Sequence, residues 1–116
     1  MAKQVTVLIR RPPLTSEKTA EALRVAVGYT LAGGQRVTAC FVGDGVHAAG
    51  PLRPGLVGAP DLEKHLVGLK ALGQRLVADA AAVRERPGLT LRPEVEALEP
   101  EEILSLLTDA DLVVPF

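Results

Sequence analysis

The only thiol in this 116-residue chain belongs to Cys40, and a thiol is the side chain best suited to redox or sulfur-transfer chemistry. Cys40 lies inside the apolar run Val37–Val42, which is typical of a strand covered on both faces. Burial in apolar surroundings raises the pKa of a thiol and makes it a poor nucleophile. We therefore predict that Cys40 is a small core residue, and we keep a sulfur carrier at this position as the less favoured alternative.

A second group of candidate residues follows the first apolar segment. Thr15 and Ser16 come just before a predicted helix, between the cations Arg11 and Lys18. The free N–H groups at a helix start, together with two hydroxyls and two cations, could hold a phosphate or a carboxylate. The same residues also suit an ordinary helix cap on a solvated turn, and this second interpretation is the favoured one.

Further polar residues follow the second and third apolar segments. Asp44 and Gly45 form a common turn pair, and His47 could serve as an acid or base. No nucleophile or orienting partner accompanies His47, which favours a surface histidine. Asp79 ends a short apolar segment, where its carboxylate could face a pocket or, as we favour, cap the next helix.

Motifs for common cofactors are missing from the sequence. It contains neither a Walker A loop nor G-x-G-x-x-G after the first strand, and no paired His or Cys spacing for a metal. We therefore expect no cofactor and no metal. Thirteen basic residues against fourteen acidic ones give a net charge of −1, so direct nucleic-acid binding is not expected.

The remaining composition bears on the cellular compartment. One cysteine cannot form an internal disulfide, which favours a reducing cytoplasm. No apolar run reaches the roughly 18 residues that a membrane-spanning helix needs, so no membrane association is expected.

Strand-like and helix-like segments alternate along the chain. Strands are predicted over 4–10, 36–42, 75–78, 94–98 and 111–116, the fourth near a sheet edge. Helices are predicted to start at Thr15 or Ser16, at Pro60, after Asp79 and at Pro100. This order predicts one domain, 1–116, with a three-layer α/β/α architecture and a flavodoxin-like, mostly parallel five-stranded sheet.

Such a sheet brings the candidate residues together, because the carboxyl ends of parallel strands share one edge. The segment 45–60 has no periodicity and is predicted to be a long loop. Its apolar residues are candidate interface contacts: Leu52, Leu56 and Val57.

Several segments carry a family resemblance. Phe41–Val46 is similar to an F-x-x-D-G-V motif after strand two, and Leu69–Gly73 and Ala81–Arg86 are similar to the segments on either side of strand three. Asp109–Phe116 is similar to a closing strand that ends in phenylalanine. In order and spacing these segments resemble the DsrE/DsrF-like sulfur-relay proteins, and most closely the TusC/DsrF branch.

The resemblance implies an assembly of two, three or six subunits that takes part in sulfur trafficking. Active members hold sulfur as a persulfide on a cysteine at the end of strand three, and that position corresponds here to Ala78 or Asp79. Neither side chain can form a persulfide. We therefore expect a non-catalytic subunit, either a homo-oligomer or the partner of a cysteine-bearing paralogue, that docks a sulfur carrier.

A different class of protein is the alternative hypothesis. In this alternative the chain is a small-molecule or anion-binding domain, or an enzyme with such a site, and its pocket lies at the carboxyl ends of the strands. The pocket residues would be Thr15, Ser16, Asp44, His47 and Asp79.

Overall fold

The computed structural model describes the backbone of residues 3–13, 18–51 and 59–116, and the side chains of all of these except 59–61. The strands are β1 (Lys3–Ile9), β2 (Gln35–Phe41), β3 (Arg75–Asp79), β4 (Glu96–Leu98) and β5 (Leu112–Pro115). The α-helices are α1 (Lys18–Leu31), α2 (Ala59–Ala71), α3 (Ala80–Arg84) and α4 (Pro100–Asp109), and a 3₁₀ helix spans Gly43–Ala49.

The five strands form one sheet in which every pairing is parallel, in the order β4-β3-β2-β1-β5. The chain moves one strand at a time from β1 to β4, and α4 then carries it back across the sheet to β5 on the far side of β1. The predicted α/β class and flavodoxin-like arrangement are confirmed. The short strand β4 lies at an edge, as its alternating sequence indicates.

The larger core lies between the sheet and helices α1 and α2. Alternate strand residues such as Val7 and Phe41 point to this face and are fully buried, where they meet Leu23 of α1 and Leu66 of α2. The apolar stripes of both helices follow the 3.6-residue period that the sequence shows. Burial of these side chains is the main stabilising term for this face.

The opposite face of the sheet carries α4, the one helix that the described residues place there. Ile103 packs on Cys40 of β2, Val77 of β3 and Leu98 of β4 to make a second, smaller core. Leu104, which the sequence places on the apolar side of α4, is instead 65% exposed. Because one short helix covers this face, the second core is confined to the region beneath it.

Two predicted elements differ from the structure. The segment after β2 begins with the 3₁₀ helix rather than a loop, because tertiary contacts bury Val46, Ala48 and Ala49 completely although the segment has no amphipathic repeat. The alanine-rich segment after Asp79 predicts a helix up to Pro87, whereas α3 ends at Arg84. Pro87 disfavours helical geometry in Arg86, so the helix ends before that residue.

Candidate functional site

The end of β3 holds the two residues that replace the expected thiol. Ala78 is fully buried and its side chain lies in the larger core. Asp79 precedes α3, and its Oδ1 accepts a hydrogen bond of 3.0 Å from the backbone N–H of Ala81. Asp79 therefore caps α3, which was the favoured interpretation of this carboxylate.

Asp44 lies in the first turn of the 3₁₀ helix and is bound by Arg86. The Arg86 Nη2 donates a 2.7 Å hydrogen bond to Asp44 Oδ1, and its Nη1 donates one of 2.8 Å to the carbonyl of Ala82. The hydrogen bond and charge of Arg86 lower the pKa of the Asp44 carboxyl, and His47 adds a smaller effect in the same direction. This ion pair ties the segment after β2 to the segment after α3.

Gly45 permits a close backbone approach. A Cβ at this position would collide with the carbonyl oxygen of Ile9 and would lie 2.8 Å from the carbonyl carbon of Ile9. The turn is closed by the Gly45 N–H, which donates to the Val42 carbonyl at 2.9 Å, and the Val42 N–H donates to the Ile9 carbonyl at 2.9 Å. Gly45 therefore allows the 3₁₀ helix to pack on the end of β1, which is a structural role.

A second ion pair, which the sequence analysis did not find, joins α3 to the start of α4. The guanidinium of Arg84 donates two parallel hydrogen bonds of 2.9 Å to the carboxylate of Glu99. These bonds lower the pKa of the Glu99 carboxyl. The arginine-containing segment Ala81–Arg86 draws attention to Arg84 and Arg86, although the sequence does not identify their partners.

Cys40 lies in β2, beneath α4, and is completely buried. It is the register partner of Val77, and every other member of its core cluster is apolar. Burial raises the pKa of the Cys40 thiol to about 12, and the negative charge of Asp79 contributes to the increase. The structure thus places Cys40 in the core, as the sequence predicts, and a buried thiol with a raised pKa is a poor nucleophile.

The structure brings part of the predicted group together. Asp44, Gly45, His47 and Asp79 lie at or just beyond the carboxyl ends of β2 and β3, at one edge of the parallel sheet. Thr15 and Ser16 lie outside the described residues, and so do the candidate interface residues Leu52, Leu56 and Val57. The suggested binding pocket at this edge stays a prediction, and the cap made by Asp79 and the ion pair of Asp44 count against it.

Two further observations concern only the part of the chain that the structure describes. No group of three or more His, Cys, Asp or Glu residues is placed to hold a metal ion. No helix there combines the length and the apolar character needed to span a bilayer.

Comparison with known proteins supports the fold. No family model matches the sequence, and no curated protein matches it either. Among solved structures, the crystal structure of the YchN protein from E. coli matches with a TM-score of 0.83 and 22% sequence identity, over 100% of both chains. The chain therefore has the DsrE-like fold of that protein.

Proposed function

We propose that this protein is a non-catalytic subunit of a cytoplasmic sulfur relay, similar to the TusC/DsrF branch of the DsrE/DsrF-like proteins. It would assemble as a dimer, trimer or hexamer, or with a cysteine-bearing paralogue, and dock the protein that carries the sulfur. The observation that supports this most directly is the end of β3, where Ala78 is buried and Asp79 caps a helix.

The chemistry of sulfur transfer explains why this position decides the function. A thiolate on the acceptor attacks the outer sulfur of a donor persulfide; the donor leaves as a thiol and the acceptor becomes the persulfide. A methyl group and a carboxylate cannot perform this attack. The one thiol of the chain, Cys40, is fully buried beneath α4 and has a raised pKa.

Assembly is supported by apolar side chains that the described residues leave exposed. Leu31 at the end of α1 is 72% exposed, and Leu72 just after α2 is 51% exposed. Helices α1 and α2 pack side by side, and both end where the next strand begins. The two leucines therefore lie at the same end of the domain, opposite Asp79, and are available for contact with another subunit.

The missing thiol can be tested by restoring it. In the Asp79→Cys variant we expect one sulfur atom to be added from a small persulfide donor, as measured by intact mass, whereas the natural chain stays unmodified. Asp79→Ser is the matched control, because serine keeps the helix cap without a thiol. Sulfur addition to the natural chain, removed by Cys40→Ala, would contradict a non-catalytic role.

The assembly can be tested by solution mass from sedimentation velocity. We expect an oligomer at micromolar concentration, and a lower mass for the double variant Leu31→Gln, Leu72→Gln. Leu104→Gln is the matched control, because Leu104 is exposed on α4 at the opposite face of the sheet. A natural chain that stays monomeric would contradict the proposed assembly, whereas the result of the sulfur-transfer experiment would not be affected.

A further inference from the structure

One face of the sheet is incompletely covered by the residues that the structure describes. Right-handed crossovers from β1 to β4 place α1, α2 and α3 on the same side, and only α4 returns on the other. This single helix of 10 residues crosses a sheet of five parallel strands. Because a parallel sheet is normally covered on both faces, the α4 face lacks part of its expected cover.

The uncovered part of this face is made by β5 and the end of β1. Val114 of β5 packs in the larger core, so its neighbours Val113 and Pro115 point to the α4 face. Leu8 of β1, the register partner of Pro115, points the same way and is half-buried. Val113 is half-buried and belongs to neither core, and Pro115 is exposed. An apolar strip at the sheet edge is therefore left beside α4.

Helix α4 extends this strip with two leucines. One flank of the helix carries Ser105 and Asp109, which line a cavity together with Arg75 of β3. Leu104 and Leu107 lie on the other flank, three residues apart and so on one side of the helix. Leu107 is half-buried against the smaller core, whereas Leu104 is 65% exposed. The strip and the two leucines together are called the α4–β5 surface: Leu8, Leu104, Leu107, Val113 and Pro115.

Carboxylates surround the α4–β5 surface. Residues 99–116, which contain α4 and β5, include five acidic residues and no Lys, Arg or His. Arg84 neutralises one of them, Glu99, and none of the other four forms an ion pair within the part of the chain that the structure describes. Glu101 lies three residues before Leu104, on the same side of the helix. A molecule seated on the leucines would therefore meet negative charge at its rim.

The charge decides which occupant fits this surface. Arg10, two residues after Leu8, adds one cation at the end of β1, but the unpaired carboxylates outnumber it. Two copies of the chain joined through this surface would set like charges against each other, which disfavours self-association here. Residues 25–34, which include the exposed Leu31, contain no charged residue and suit contact between copies better. The α4–β5 surface instead fits a partner with cations around an apolar centre, and a helix is the usual cover of a parallel sheet.

We propose that the α4–β5 surface docks a basic amphipathic helix of a partner protein. The apolar side of that helix covers Leu104 and Val113, and its Lys or Arg residues face Glu101 and the other unpaired carboxylates. The inference rests on the docking role proposed above, to which it adds a surface and the charge of the partner. It does not involve the end of β3 or the exposed ends of α1 and α2.

The probe is a synthetic peptide that repeats Leu-Lys-Lys-Leu-Leu-Lys-Leu, because this pattern is basic and amphipathic with helical spacing. Binding is followed by the fluorescence anisotropy of the labelled peptide and by the amide chemical shifts of isotope-labelled protein. We expect saturable binding that salt weakens, with shifts confined to α4, β5 and the end of β1. No binding, shifts centred on another face, or equal binding of a peptide with Glu in place of Lys would overturn the proposal.

Matched variants locate the contact on the protein. Leu104→Gln should weaken peptide binding about tenfold, because it removes an apolar contact of this surface. Glu101→Gln should weaken it about two- to threefold, as expected for an exposed charge. Leu31→Gln and Glu85→Gln are the controls, because both side chains are likewise exposed but lie on α1 and after α3. Both controls should bind the peptide as the natural chain does.

The same variants separate this inference from the proposed function. Leu104→Gln should weaken peptide binding and keep the solution mass, whereas the double variant Leu31→Gln, Leu72→Gln should lower the mass and keep peptide binding. Unchanged peptide affinity in Leu104→Gln would overturn the docking surface, although the assembly and the result for Asp79→Cys would stand. A monomeric natural chain that binds the peptide through α4 would contradict the assembly and support the docking surface.

Discussion

The thiol of Cys40 should resist modification as long as the protein stays folded. At about pH 8 an ordinary thiol with a pKa of 9.0 is about one-tenth thiolate. A pKa of about 12 reduces that fraction to about one in ten thousand, a loss of about a thousandfold in the reactive form. Cys40 is also fully buried, so a reagent must wait for an opening of the α4 face, which makes the expected slowing larger still.

The assay is the reaction with an aromatic disulfide reagent such as DTNB, followed by absorbance and by intact mass. We expect one thiol per chain to react at once in guanidinium chloride, and a rate at least about a thousandfold lower in the native protein. Asp79→Asn is the control for electrostatics: it removes the smaller cause of the raised pKa, so the native thiol should remain nearly as slow. Native labelling within about tenfold of the unfolded rate would refute both the burial and the passive role deduced from it.

Two other changes test the remaining parts of the structure. Gly45→Ala should lower the free energy of unfolding by about 1–3 kcal/mol, because the added Cβ meets the backbone of Ile9. Gly28→Ala in α1 is the control: a Cβ there meets nothing, so the free energy of unfolding should rise by about 0.5–1 kcal/mol. Denaturant titration measures both changes. Asp44 has a lowered pKa in the folded state, so its stabilising effect is present above the ordinary carboxyl pKa and is lost as pH falls through the folded pKa. Asp44→Asn should therefore reduce the acid dependence of the free energy of unfolding. An unchanged pH profile would argue against the ion pair between Asp44 and Arg86 in solution.

The order of the elements could be predicted because each strand is a short apolar run and several elements are bounded by proline or glycine. Pro100 begins α4, and Gly33 and Gly34 follow α1 with positive φ angles, as a helix end requires. The 3₁₀ helix could not be predicted, since its three buried small residues form no amphipathic repeat. Its structure depends on contact with the end of β1, which only the fold reveals.

The candidate site was predictable only in part. The carboxyl ends of the strands follow from topology, so the neighbourhood of Asp44 and Asp79 could be foreseen. The arginines that bind the carboxylates could not, because the pairings Arg86–Asp44 and Arg84–Glu99 span 42 and 15 residues of sequence. Local patterns contain no information on such long-range pairs.

Helix α3 lies after the end of β3, at the carboxyl edge of the sheet, and is held by side chains from several segments. It has only five residues, too few to be stable alone, and three side chains hold it: the cap from Asp79, the pair from Arg84 to Glu99 and the pair from Arg86 to Asp44. Under our proposal, Asp79 supplies a hydrogen bond at the position that corresponds to the sulfur acceptor of the DsrE/DsrF-like carriers. A cysteine there would restore a nucleophile but remove that carboxylate cap. The same residue therefore cannot provide both, and in this chain the position stabilises the start of α3.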